Sequence, residues 1–493
     1  MNINRWSFRK LLVVVLSAQL GLFGVLLLIF LQSGGQALGT QSVAVARAIT
    51  VVAHFTFVPG IVLVYLLPVT DSAADESILY AVGLSLLSLM LTGLLVDFIP
   101  VTEFDPGTVV GAVWVVTSFL TFVAYIFSDS SFHRQRRSEP RRNASHGFST
   151  ETILTVLIAG CALVIAIVGA RLASESNLLL MIVIPLFGLI VLFVSFNEST
   201  SVRAYELLIY LLSLALFYHQ SLVSSFLWGW DIHREYFFAD LVVQNGTWFS
   251  SLQDVYNAML SIVFLGPMYS VAADLSLTWV FKLVFPAVFA VVPVCLFQCY
   301  RTQLPDKAAF LSAFLFTAYF GFYFLMPQLA RQQVAELFLA LLLLTLVTTA
   351  VSGVRRKLLL VVLFTGIVLS HYGTIVIVSL TLFSAYVLYI IFTRQKYLSS
   401  LHEKFRAISF DQWHLSGGVL AVSTLIMLGW FLYAADGQVL QVYGRVAYDT
   451  TRELVLQLTN PESTEGSEQV TTTATSSLRS VERSIHQIGR AHV

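Results

Sequence analysis

Apolar runs of about 18 residues or more recur along this 493-residue chain, and each is long enough to cross a hydrocarbon layer of about 30 Å as a helix. Inside a bilayer the backbone must satisfy its own hydrogen bonds, so a spanning segment folds as a helix or joins a closed barrel. The ~10-residue strictly alternating segments of a barrel are absent. The chain is 57% hydrophobic and 11% charged, against roughly 45–50% and about 25% in a soluble domain. The expected fold class is an all-α polytopic membrane protein.

Hydropathy over windows of about 19 residues puts spans near 8–32, 48–68, 78–98, 108–127, 152–170, 177–196, 203–226, 278–298, 308–326, 333–352, 357–370, 374–393 and 415–435. That makes about thirteen. The first run follows Arg5, Arg9 and Lys10 and is too long for a signal-peptide core, so it reads as a retained span. Tyr256 to Leu275 is apolar but interrupted by Gly266 and Pro267; it is open to reading as a span, a re-entrant hairpin or an interfacial helix. Basic residues favour the cytoplasmic side of short loops, and they cluster at Arg5–Lys10, Arg134–Arg142, Arg355–Lys357 and Arg394–Arg406. With the N-terminus inside and Tyr256 to Leu275 not crossing, every cluster falls inside. WGWDIHREY (228–236), MPQLARQQVAE (326–336), SHYG (370–373) and the polar tail after Ala435 then share the extracytoplasmic face.

The remaining sequence mostly excludes. Formal net charge is zero, so overall charge says nothing about a nucleic-acid or acidic partner, and no nucleic-acid partner is expected. Cys161, Cys295 and Cys299 all lie in apolar runs, without His or carboxylate neighbours that would make a metal site. There is no phosphate-cradling Gly-rich loop, no G-x-S-x-G elbow and no H-E-x-x-H. Asn245-Gly-Thr247 fits a glycosylation acceptor, a triplet frequent by chance. Gly437 to Leu458 is expected to form an amphipathic helix and Thr459 to Ser480 a solvated linker. The last six residues, IGRAHV, resemble a reading frame of a sequencing adapter. The expected organisation is therefore a six-span accessory module at 1–202, a core at 203–435 with an outer loop at 227–277, a polar extracytoplasmic segment at 436–487, and an adapter-derived end at 488–493.

The polar residues that interrupt this pattern are the candidates for chemistry. On a helix Asp231 and Glu235 stand at i and i+4, with Arg234 beside Asp231 at i+3. Two like charges one turn apart repel, unless something cationic or protic sits between them. His233 shares the segment, and the surrounding aromatics also suit a plain interfacial loop. Arg331, Gln332 and Glu336 open a span. Arg331 is suited to snorkelling or to a bidentate phosphate contact, and Glu336, a turn into the apolar zone, is expected to be paired or to face a cavity. Lys282 offers the same choice as Arg331. His371 and Tyr372 stand where one span ends and the next begins, as helix caps or as site residues. A divalent metal held by Asp231, His233, Glu235 and His371 is the sharper alternative.

The run GWDIHREYFFADLV, then YNAMLSI, LTWVFKLVFP, LARQQVAELF and LSHYGT, from about Arg203 to Val376, resembles GT-C superfamily membrane glycosyltransferases. It is closest to a group of uncharacterised archaeal polytopic membrane proteins. The resemblance implies a GT-C-like core with an interfacial helical outer loop, and an inverting transfer of a sugar from a polyprenyl-phosphate-linked donor. The acceptor would be a glycan, protein or lipid at the extracytoplasmic face of the cell membrane, as in cell-envelope assembly. It gives Asp231 the role of catalytic base or metal ligand, with Glu235 as the alternative. Arg331, Lys282 and Gln332 would bind the donor phosphate, supported by His233, Arg234, Glu336, His371 and Tyr372. The first six spans depart from that pattern. A polytopic transporter or lipid flippase is the alternative function, and spacing alone leaves a two-carboxylate hydrolase open.

Overall fold

The computed structural model describes residues 6–33, 41–67, 76–99, 103–127, 150–197, 200–252, 254–348, 353–394 and 415–439, with residue 3, residue 351 and parts of 441–453. Among these residues there is no strand, and the chain is an all-α multi-pass membrane protein. Met1–Asp436 form one compact unit, in which 1–202 and 203–435 are not separate bodies, and Gly437–Val493 form a second. The linker expected at 459–480 and the final six residues lie outside the described residues, as does most of the helix expected at 437–458.

The spans are α1 (Phe8–Ser33), α2 (Gln41–Leu66), α3 (Glu76–Asp97), α4 (Pro106–Phe127), α5 (Thr150–Arg171), α6 (Leu178–Phe196) and α7 (Val202–Ser221). The amphipathic α8 (Asp231–Asn245) and the short apolar α9 (Ser261–Ala273) follow, then α10 (Leu277–Arg301) and the bent pair α11 (Asp306–Ala318) and α12 (Gly321–Gln328). The series ends with α13 (Ala330–Val347), α14 (Gly353–Ser370), α15 (Tyr372–Arg394) and α16 (Gly417–Ala434). By length and hydropathy eleven described helices are long and apolar enough to cross a membrane, and the bent pair makes twelve. α14 carries Arg355, Arg356 and Lys357 in its first turns, which is why it falls outside that group although its remainder is apolar.

Close helix approach comes from small residues, as expected where lipid supplies no hydrophobic drive. A Cβ on Gly60 of α2 would sit 1.8 Å from the Ala81 carbonyl oxygen of α3. A Cβ on Gly93 would strike the Phe264 ring, so α3 seats α9 through that glycine.

α9 answers the question its sequence left open. Its first residue, Ser261, donates to the carbonyl of Ser370, the last residue of α14 (3.2 Å). Near its other end, the carbonyls of Val271 and Ala272 accept from Arg47 in the first turns of α2 (3.1 and 2.9 Å). Both contacts lie at one end of the bundle, so the segment enters and leaves there without crossing. It is not a surface helix: apolar on every side, it is buried among α2, α3, α4, α8 and α13, as a helix without a polar face must be. Arg355–Lys357 lie at the opposite end. The basic cluster at 134–142, and the later one beyond Arg394, lie outside the described residues.

Three π-helical turns, Ser261–Leu265, Val280–Val284 and Gly321–Leu325, each come just before a proline, Pro267, Pro286 and Pro327. Proline has no N–H, and its ring crowds the carbonyl four residues back. The widened turn relieves that crowding. At Pro286 the released carbonyl belongs to Lys282 and accepts from the Ser221 hydroxyl (3.1 Å), while Tyr218 bonds the next carbonyl, Leu283 (3.0 Å).

Candidate functional site

The turn leading into α8 needs Gly229. Its φ is +135°, and a Cβ there would lie 2.6 Å from the Gln328 side chain. Beyond it Asp231 occupies the first turn of α8, where the helix dipole favours an anion. The helix ends on Gly246 in the left-handed region (φ 67°), whose carbonyl accepts from the Phe104 amide (2.8 Å). Asp97 at the end of α3 then accepts from the Trp248 amide (2.7 Å) and the Thr247 hydroxyl (3.1 Å). Asn257 ties the loop together by donating to Phe249 and Leu252 carbonyls. These bonds fix Tyr256 opposite α8.

The inward stripe of α8 is Ile232, Glu235, Phe238, Ala239 and Val242. Glu235 is thus a carboxylate in an apolar row, with 0% of its surface exposed. Its Oε2 accepts from the Ala330 amide (2.7 Å), satisfying a free N–H at the start of α13. Its Oε1 lies 3.2 Å from Arg331 Nε. The same guanidinium donates through Nη2 to Asp231 Oδ2 (2.6 Å). It lies 3.7 Å from the Tyr256 ring centroid and 5.0 Å from that of Tyr372, an aromatic setting that favours a cation. Burial holds the Glu235 carboxyl up at about 7, against the pull of Arg331 and the Ala330 amide. Burial likewise raises the Tyr256 phenol. Asp231, with 38% of its side chain exposed, is the carboxylate that reaches the surface.

Asp231, Glu235, Arg331 and Tyr372 therefore converge, and the cation expected between the two carboxylates is Arg331. Snorkelling does not describe this arginine, which is buried at 2% exposure; a free phosphate ligand does not either, because two carboxylates already engage it. Glu336 is paired as expected, accepting from Gln332 Nε2 (2.8 Å), so Gln332 supports Glu336 rather than the carboxylate pair. Arg234 points outward and pairs with Asp254, over the face of Tyr256 (4.5 Å). His233 is exposed on the outer side of α8.

His371 is a cap: Nδ1 accepts from the Thr374 amide (3.0 Å) and meets its hydroxyl (2.7 Å). Burial and the Arg331 charge press the imidazole down to about 3, so it is neutral. Among the described residues no three His, Cys, Asp or Glu side chains are grouped to hold a metal ion. The four metal candidates do not form a ligand set, because His233 faces away and His371 is committed to α15.

Lys282 lies in the π turn of α10, 4% exposed, and donates to the Phe226 carbonyl (2.8 Å). With Ile232, the neighbour of Asp231, it lines a cavity of about 210 Å³. Sequence reasoning missed Tyr256, Ala330 and Gly229. Tyr256 and Ala330 act through tertiary contacts that no local spacing encodes; Gly229, between two tryptophans, was readable as a turn requiring positive φ.

Residues 356–493 match the family described as "Predicted membrane protein (DUF2206)". The match takes in His371 and Tyr372 and begins after Asp231, Glu235 and Arg331. No curated protein and no solved structure matches the chain.

Proposed function

We propose that the chain is a GT-C-like membrane glycosyltransferase that moves a sugar from a polyprenyl-phosphate-linked donor to an acceptor hydroxyl at the extracytoplasmic face of the cell membrane. The observation that carries this reading is Asp231: a surface-reaching carboxylate fixed by a buried arginine at the start of an amphipathic helix, whose next residue, Ile232, lines a cavity with Lys282. In the reaction, Asp231 accepts the proton of the acceptor hydroxyl and the oxygen attacks the anomeric carbon. The bond from that carbon to the phosphate oxygen breaks with inversion. Phosphate departs as an anion, so the site needs a base and a cation but no general acid. Glu235 has no surface to offer a substrate, which favours Asp231 as the base and disfavours a two-carboxylate hydrolase. Arg331 then positions Asp231, and Lys282 is the better placed phosphate ligand. Deleting the gene in its host and profiling envelope glycans tests the reading: one sugar or a terminal branch should vanish, and an unchanged profile overturns it.

One observation favours a second reading, a lipid flippase. An apolar groove of about 1170 Å³ runs between α2, α7 and α10, with Gln41 and Asp274 toward one end and Arg203 and Glu206 toward the other. Transfer of a fluorescent lipid between leaflets of proteoliposomes would support it.

A further inference from the structure

Lys282 poses an electrostatic problem that its carbonyl contact does not solve. An ammonium has three N–H donors, and a buried charge is ordinarily paired with an opposite one. Lys282 is 4% exposed, and among the described residues its hydrogen bond is to the neutral Phe226 carbonyl (2.8 Å). No carboxylate of the described residues stands within ion-pair distance. A second cation contacts the loop that carries Phe226. Arg171, the last residue of α5, donates to the Leu222 carbonyl (3.3 Å) and the Ser225 hydroxyl (3.4 Å). Its guanidinium also stands 5.7 Å from the ring centroid of Trp279, three residues before Lys282. Both cations thus reach one short stretch of chain, Arg171 at Leu222 and Ser225 and Lys282 at Phe226. Arg331 is the contrast, its charge balanced by Asp231 and Glu235.

Among the described residues neither the buried Lys282 nor the exposed Arg171 has an ion-pair partner, both contact residues 222–226, and Lys282 lines the 210 Å³ cavity. The lining adds hydroxyl and amide groups at Ser221, Ser224 and Gln220, and the aromatic faces of Trp228 and Phe281. An anion there would balance the buried charge of Lys282 and take up its free donors.

We propose that this cavity binds a phosphate ester, with Lys282 as its inner ligand and Arg171, contributed by the N-terminal six spans, as its outer one. The site gives those spans a part in ligand binding. It deepens the transferase reading by locating the donor phosphate, yet as a lipid-phosphate site it stands without glycosyl transfer.

The test is calorimetric titration of the full chain in phosphatidylcholine nanodiscs with geranyl phosphate, geraniol and inorganic phosphate. Geranyl phosphate should bind saturably, with geraniol at least about tenfold weaker. Lys282→Met and Arg171→Gln should each weaken geranyl phosphate about tenfold, whereas Lys282→Arg should stay close to wild type. Inorganic phosphate competing as strongly as the ester would support the anion site and assign it to free phosphate. Saturable geranyl phosphate binding that Lys282→Met weakens would stand even if the gene deletion left envelope glycans unchanged, so that a failed transferase reading is told apart from a failed binding site. Arg171 lies at a helix end and keeps the test available if Lys282→Met does not fold. Unchanged binding in both neutral variants, or equal binding of geraniol, overturns the proposal.

Discussion

Arg331 Nη2 stands 2.6 Å from Asp231 Oδ2, although the two residues are 100 positions apart in the chain. The same guanidinium faces Glu235 at 3.2 Å and stacks over Tyr256 at 3.7 Å. One arginine thereby joins the start of α8, the start of α13 and the loop before α9, and the carboxylate with surface exposure is held in a fixed position.

Removing that arginine should cost folding stability. Arg331→Met leaves Glu235 buried without a cation, and breaking a buried pair from one side typically costs about 3–5 kcal/mol. Thermal unfolding in detergent should show a clear drop for Arg331→Met and a much smaller one for Asp231→Asn, because Asp231 is part-exposed. Equal effects would mean that the cluster is not organised around Arg331.

The Glu235 carboxyl gives stability a pH dependence. Burial raises it from 4.5 to about 7, so the folded state favours the protonated form. That contribution is complete below about 4.5 and is lost as pH rises through about 7. Unfolding temperature should therefore fall between pH 5 and pH 8 by more in the wild type than in Glu235→Gln, a comparison that differential scanning fluorimetry can make. Parallel profiles would contradict the burial of an ionisable Glu235.

Gly229→Ala should disturb the site without touching a charged group. A left-handed backbone and a 2.6 Å approach to Gln328 both oppose a Cβ there, a strain of about 1–3 kcal/mol. Since Trp228, Gly229 and Trp230 set the start of α8, the variant should lose function more than stability. The closest atom is the Gln328 Cβ, so Gln328→Gly, which removes it, should recover part of the loss; no recovery would place the defect in the φ angle alone.

The spans were legible because an apolar run long enough for the bilayer has few other folds available, and each expected run from 8–32 to 415–435 coincides with a helix or the bent pair. Less legible were the interruptions. The 51° bend between α11 and α12 and the π turns follow from prolines in otherwise uniform runs, and hydropathy averages over them. α9 was readable as non-crossing from charge placement, but its burial on all sides depended on glycines such as Gly93 in a distant helix.

In the site, the i, i+4 pairing of Asp231 and Glu235 was visible, and so was the need for a partner between them. Which cation would serve was not, because Arg331, at the boundary of an apolar run, and Lys282, about one turn into another, were each open to snorkelling or to a phosphate contact. Tertiary structure separates them, giving Arg331 two carboxylates and Lys282 a carbonyl and a cavity. Arg171, just past the expected span 152–170, drew no reading, since its neighbours Leu222, Ser225 and Trp279 are far along the chain.

The central claim is that Asp231, held by Arg331, is the proton acceptor in a sugar transfer. The most direct test is complementation of the gene-deleted host with Asp231→Asn and with Glu235→Gln, reading the envelope glycan by mass spectrometry at matched protein levels. Losing a general base costs about 10²–10⁴ in rate, so Asp231→Asn should fail to restore the glycan while Glu235→Gln restores it at least in part. Restoration by Asp231→Asn, or failure by Glu235→Gln alone, would contradict the account.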